Sequence, residues 1–166
     1  MAHGTRGYAH RVDIRAEIAD VWQALIDPAR LTRWYGPQAR VDAREGGSYW
    51  IRIDDELTRE AHIDVYQAPR RLRLIYMPQA GLPTDDAVMV DDFLLHSEIA
   101  PAGKSGSLTI LRLLGSGIPE GGAWDPWFLR LRGGWERWLL RLKVLLEPAP
   151  AKKPAADGKP PPKREI

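Results

Sequence analysis

Apolar and polar positions alternate, then wind, then alternate again along this chain. Within Tyr8–Arg15, the residues Tyr8, His10, Val12 and Ile14 share one parity, and Arg11, Asp13 and Arg15 share the other. That is the pattern of a strand with one buried face. Ile18, Val21, Trp22, Leu25 and Ile26 follow at helical spacing and form one apolar stripe. Asp27-Pro28 ends this helix and opens a short second one, with Asp27 as cap and Pro28 in the first turn. The second helix carries Leu31 and Trp34 and stops at Gly36-Pro37. Strands are then predicted at Val41–Arg44 and Ser48–Ile53, joined by Glu45-Gly46-Gly47, whose glycines supply positive φ. Four more follow around Arg59–Tyr66, Arg71–Met77, Val90–Ala100 and Ser107–Leu114. The short breaks between them favour antiparallel pairing.

The last element is a long helix, opened by Asp125-Pro126 and closed by Glu147-Pro148. At about 20 residues it spans about 30 Å. Trp127, Phe128, Leu131 and Trp135, continued by Trp138, Leu142 and Leu145, give it a wide apolar face, with Arg130, Arg137 and Arg141 opposite. The order is one strand, two helices, six strands and one long helix. A helix this apolar needs a large surface to cover, and a curved antiparallel sheet is the candidate, so the fold class is α+β. Gly133-Gly134 costs this helix roughly 1 kcal/mol per glycine relative to alanine. That cost implies close backbone approach to the sheet, or space left for a ligand.

Composition narrows the function. The chain has 166 residues and no cysteine, which excludes a disulfide framework and thiolate catalysis and fits a reducing compartment. No stretch matches a membrane span or a signal peptide, so a cytoplasmic location is expected. The net charge of +2 looks like a hint of nucleic acid until it is located. Of 24 basic and 22 acidic residues, five basic (Lys152, Lys153, Lys159, Lys163, Arg164) and two acidic (Asp157, Glu165) fall in 148–166. The body, 1–147, therefore holds 19 basic and 20 acidic residues and is nearly neutral. It lacks the basic stripe of a nucleic-acid-binding domain. Six prolines and a single large aliphatic, Ile166, mark 148–166 as a disordered tail outside the domain, contributing nothing to its stability.

Candidate chemistry is sparse. The four histidines, at 3, 10, 62 and 96, have no metal-site spacing, so no metal or other cofactor is expected. His10 reads as a rim histidine with a hydrogen-bonded partner. Asp91 and Asp92 point to opposite faces of a strand and cannot act as a pair. Asp92 shares a face with His96 and Glu98, which reads as solvated. Gly115-Ser116-Gly117 and Gly121-Gly122 lack the lysine and the strand–helix setting of a phosphate loop, and no Gly-x-Ser-x-Gly elbow is present. No convergent catalytic set emerges. Seven tryptophans against two phenylalanines are the stronger signal, because a cavity for a flat or greasy ligand needs large apolar walls with a few polar tips.

The order of elements and several short segments resemble the START and birch-pollen-allergen superfamily, often abbreviated SRPBCC. Within it they are most similar to homologues of the activator of heat-shock protein 90 ATPase. The matching pieces are Ile18–Pro28, Leu31-Thr32-Arg33-Trp34-Tyr35-Gly36, Arg44-Glu45-Gly46-Gly47 and Pro69-Arg70-Arg71-Leu72, then Gly117-Ile118-Pro119 and Gly134-Trp135 leading to Leu139 and Leu142-Lys143. Leu114-Gly115-Ser116-Gly117 departs from the family, whose members often carry a histidine ahead of that Gly-x-Pro, so its role is not carried over. The resemblance implies a helix-grip fold: a curved antiparallel sheet wrapped around the C-terminal helix, two short helices after strand 1, and a cavity between sheet and helix. The expected function is binding of a small hydrophobic or aromatic molecule there, without chemistry of its own. Expected cavity residues are Tyr8, His10, Val12 and Trp34, then Tyr49, Ile51, Tyr76 and Arg112, and on the helix Trp127, Leu131, Trp135 and Trp138. Two alternatives follow from the resemblance: a chaperone-associated, stress-related factor, and a polyketide cyclase or aromatase using His10, a tyrosine or Arg112. A monomer or homodimer is expected.

Overall fold

A computed structural model of the chain describes residues 4–99 and 106–148. The tail expected at 148–166 lies outside the described residues except for Pro148. The element order is β1 (Thr5–Ile14), α1 (Ile18–Ile26), α2 (Pro28–Leu31), β2 (Gln38–Val41), β3 (Ser48–Arg52), β4 (Thr58–Gln67), β5 (Arg71–Tyr76), β6 (Val90–Ile99), β7 (Ser107–Pro119) and α3 (Asp125–Leu146). The strands form one curved antiparallel sheet in the order β1-β7-β6-β5-β4-β3-β2, gripping α3 as expected.

Local chemistry explains the joints. The Asp27 carboxylate accepts from the Ala29 N–H at 3.0 Å and caps α2, and Pro28 occupies its first turn. α1 buries Val21, Trp22, Leu25 and Ile26 against the sheet and α3. α3 is pinned at its end: Glu147 accepts from Arg15 Nε at 3.0 Å and pairs with Lys143 at 3.1 Å, while Lys143 Nζ donates to the Asp13 carbonyl at 2.5 Å. The end of the last helix is thus tied to the end of the first strand.

Several strand boundaries differ from expectation, most of all those of β2 and β7. β2 occupies Gln38–Val41 rather than Val41–Arg44, pairing Val41 with Tyr49. Beyond it the backbone is committed elsewhere: Arg44 folds back on Asp42, Gly47 N–H donates to Arg44, and Gly46 N–H donates to Ile63. Gly46 adopts positive φ, as its turn requires, whereas Gly47 does not and is instead needed for close approach to the Asp42 carbonyl. β7 continues past Leu114 to Pro119 and holds β1 from Thr5 onward. Gly115 lets it continue, since a side chain there would collide with the Tyr8 ring.

Candidate functional site

Sheet parity delivers two opposite charges to the inside. β4 turns Arg59, Ala61 and Ile63 inward, and β6 turns Asp91, Phe93 and Leu95 inward. Arg59 is 4% exposed and Asp91 is 0% exposed. Their side chains meet at 3.0 Å, Arg59 Nη1 to Asp91 Oδ2. Two phenols complete the carboxylate's shell: Tyr8 Oη donates to Oδ1 at 2.5 Å and Tyr76 Oη donates to Oδ2 at 2.6 Å. Arg59 also donates to Tyr35 Oη at 3.2 Å and lies over the Tyr76 ring at 3.7 Å. From α3, Trp135 Nε1 donates to Tyr8 Oη at 3.0 Å. β1, β4, β5, β6, α3 and the α2–β2 connection therefore meet at one polar node inside an apolar core.

Aromatic rings enclose it. Tyr35 stacks on Trp135 with centroids 4.9 Å apart and on Trp34 at 5.2 Å. Trp138 stands edge-on to both Tyr35 and Trp135, and Phe93 meets Trp135 edge-on. Tyr35 and Trp135 thus occupy the space beneath α3. Gly134 contributes, but not by approach to the sheet or by leaving room for a ligand. The Trp138 indole folds over it, filling the place of a side chain.

Electrostatics fix the protonation of this set. Burial pushes the Tyr8 and Tyr76 phenols well above the ordinary tyrosine value, and the Asp91 charge adds to it against the pull of Arg59. Tyr35 is raised for the same first reason. For Arg59 burial acts downward, but its anionic surroundings outweigh it and raise its pKa, so the guanidinium stays charged. The phenols, neutral at neutral pH, donate into the Arg59–Asp91 pair.

The expected residues divide into groups. Tyr8, Tyr76 and Trp135 belong to the node, and Trp34 and Trp138 to its aromatic surround. Tyr49 and Ile51 are buried on β3; Tyr49 Oη donates to the Leu25 carbonyl at 2.6 Å and serves the α1 junction instead. Leu131 is buried, whereas Val12 and Trp127 are half-buried at the edge of the core. His10 is half-buried beside α3, its ring tilted against Tyr8 at 5.6 Å. Its Nε2 makes no well-formed hydrogen bond, and the Arg132 backbone is the hydrogen-bonding group nearest to acting on the ring. Burial lowers its pKa; Glu136 acts upward, and Arg132 acts downward through its charge and upward through its backbone. Arg112 is a correction: it lies exposed on the outer face, opposite Arg11, because β7 turns Leu111 and Leu113 inward. Asp92 is also outward and forms a two-bond pair with Arg71, while His96 faces Glu98 at 3.9 Å across exposed surface.

Sequence reasoning missed Arg59, Asp91 and Tyr35. The signal for the first two was present. Leu57-x-Arg59-x-Ala61-x-Ile63 and Met89-x-Asp91-x-Phe93-x-Leu95 each place one charge on an otherwise apolar parity. Tyr35 sits between elements, where no periodicity identifies it. Among the described residues no cluster of metal-ligating side chains occurs, and no helix is long and apolar enough to cross a membrane.

Comparison with known proteins adds the family. Residues 15–147 match the profile of the activator of Hsp90 ATPase homolog 1-like proteins. No curated protein matches the chain significantly. Among solved structures, the Aha1 dimer from Colwellia psychrerythraea is similar with TM-score 0.69 at 19% identity, over 86% of this chain and 96% of that one. An Hsp90 activator from Plasmodium falciparum, PFC0360w, is similar with TM-score 0.64 at 16% identity, over 84% and 95%. DynU16, a putative protein in the dynemicin biosynthetic locus, has TM-score 0.65 at 20% identity, over 84% of this chain and 46% of that one. At such identities the solved structures support the fold. The profile match over residues 15–147 places this chain in the family of activator of Hsp90 ATPase homolog 1-like proteins.

Proposed function

We propose that this protein binds a small aromatic or hydrophobic molecule between the sheet and α3, with the Arg59–Asp91 node as its polar handle. The observation that carries the reading is the node itself. A buried ion pair contributes little net stability compared with apolar residues of the same volume. Its presence at the centre of the core therefore calls for a role beyond packing. The surrounding rings suit a flat guest, and Tyr35, on a connection rather than on a helix or strand, is the group whose displacement would admit one. A guest hydroxyl or carbonyl would take over the Arg59 donor that Tyr35 now uses. Binding is favoured over catalysis because the buried phenols hold their protons and the Asp91 carboxylate is fully engaged by Tyr8, Tyr76 and Arg59.

The test combines native mass spectrometry of protein purified from its source cells with titration of 2-naphthol and naphthalene, read by tryptophan emission. A saturable one-to-one complex preferring 2-naphthol, and loss of that preference in Arg59→Met/Asp91→Asn, is the expected result. Failure of both probes up to their solubility, with no co-purified molecule, would overturn the reading and leave the node structural. The family match and the likeness to an Hsp90 activator favour a second reading, a chaperone-associated factor working through its outer surface. A pull-down with the cognate chaperone and an ATPase assay separate the two, since the node variant should leave chaperone stimulation intact.

A further inference from the structure

Most arginines of this protein are matched by a carboxylate, as in Arg6–Asp125, Arg15–Glu147, Arg44–Asp42, Arg71–Asp92 and Arg130–Asp54. Arg33, Arg40, Arg70, Arg112, Arg132, Arg137 and Arg141 have no carboxylate partner among the described residues, and three of them, Arg33, Arg137 and Arg141, line one groove. It is a hollow of about 470 Å³ between the α2–β2 connection, the β3–β4 turn and α3. Arg130 and Asp54 also line it, already paired to each other, so the groove carries unmatched positive charge on a nearly neutral body. Pro37, Ile53 and Trp138 add apolar surface to a lining that is mainly polar.

A second hollow, of about 410 Å³, adjoins it and shares Arg33 and Arg141. Here the lining is aliphatic: Leu140, Val144 and Leu145. Leu140 is 60% exposed and Val144 is 72% exposed, on the helix face that the sheet does not cover. From Arg137 to Leu145 the helix advances about 12 Å, which matches a medium-length alkyl chain.

We infer that these contiguous hollows form a surface site for a single-chain anionic amphiphile. The carboxylate or phosphate head would be held by Arg33, Arg137 and Arg141, and the chain would lie along Leu140, Val144 and Leu145. Guanidinium groups suit this head because they bond oxyanions through paired, charge-assisted donors. The site takes monomers rather than a bilayer. A membrane-surface helix must offer its wide apolar face to the lipid, and the wide face of α3, with Leu131, Trp135 and Leu142, is already buried. This inference does not rest on the interior reading.

Calorimetric titration of the full chain with dodecyl phosphate below its micellar concentration tests it, with decyl phosphate, inorganic phosphate and dodecyltrimethylammonium as comparisons. A saturable one-to-one complex is expected, weaker for decyl than for dodecyl phosphate by up to about fourfold per methylene, the limit for full burial. Inorganic phosphate should bind at least about tenfold more weakly, and Arg137→Gln/Arg141→Gln should weaken the complex at least about tenfold. Leu140→Asn/Val144→Asn should erase the dependence on chain length. These side chains are exposed, and unchanged circular dichroism would verify the fold of each variant. The interior variant Arg59→Met/Asp91→Asn should bind as the wild type does, which keeps this site distinct from the proposed interior one. Indifference to the arginine substitutions, equal binding of the cationic amphiphile, binding only to phosphatidylglycerol vesicles, or loss of binding in the interior variant would each overturn the inference.

Discussion

Replacing Asp91 by asparagine removes one charge from the node and almost no volume. The Asp91 carboxylate receives Tyr8, Tyr76 and Arg59, and both members of the ion pair are shielded from water. Asp91→Asn strands the guanidinium in the core and turns one acceptor position into a donor facing other donors. Breaking a buried pair from one side costs about 3–5 kcal/mol, a large share of the roughly 5–15 kcal/mol that holds a domain folded. The melting temperature should fall by about 6–20 °C, at about 2–4 °C per kcal/mol for a domain of this size. The second member of the cycle, Arg59→Met/Asp91→Asn, removes the stranded charge and should recover at least about 2 kcal/mol relative to Asp91→Asn. Urea unfolding followed by circular dichroism and tryptophan fluorescence measures both, and coincident transitions license the free energies. A cost below about 1 kcal/mol for Asp91→Asn, or a double variant no more stable than the single, would refute the account.

Other consequences can be checked independently. Tyr8, Tyr35, Tyr49 and Tyr76 all have raised pKa values in the folded state, chiefly through burial. Their stabilising contribution is therefore complete below the unfolded tyrosine value of about 10 and is lost as pH rises beyond it. Titration at the phenolate absorbance should show these four ionising together with cooperative unfolding, and gradual ionisation of the folded protein would contradict this. His10 is lowered instead, so stability should decline as pH falls below about 6.5, where the unfolded chain protonates first. His10→Asn should flatten that segment of the stability–pH curve measured by urea unfolding. Gly134→Ala should destabilise the protein despite a helix-propensity gain of about 1 kcal/mol, because the methyl group meets the Trp138 indole. A raised melting temperature in that variant would show that the ring gives way freely.

The periodic parts of the fold were readable in the sequence because burial imposes its period on the chain. The stripe of α1, the parity of β1 and the apolar face of α3 each correspond to an observed element. Boundaries set by non-periodic bonds were less legible. β2 ends where Arg44 and Asp42 close on each other, and β7 runs on through glycines that carry no hydrophobic signal. The candidate site was read through its aromatics, so Tyr8, Tyr76 and Trp135 were identified while the ion pair they serve was not. A charge inside an apolar parity looks like an interruption until its partner is known. Arg59 and Asp91 lie 32 positions apart on strands separated by β5, and only the sheet order brings them together.

The pairing of the first strand with the seventh also has a consequence for how the chain assembles. Ile14 lies opposite Thr109 and Thr5 opposite Pro119, so β1 finds its partner only after about two thirds of the sequence has been made. The helix that covers the sheet is later still, and its clasp uses Glu147. Topologies dominated by such distant pairings fold slowly, because loop-closure entropy is lost before the contacts that reward it form. On a ribosome, β2 to β6 can zip sequentially as hairpins, but beyond the part that α1 packs against, their inner face has no cover until α3 emerges. During that interval Arg59 and Asp91 are charges on a wet apolar surface, where they oppose edge-to-edge and face-to-face association of nascent sheets. Residues that later meet at the centre of the core thus protect the growing chain first.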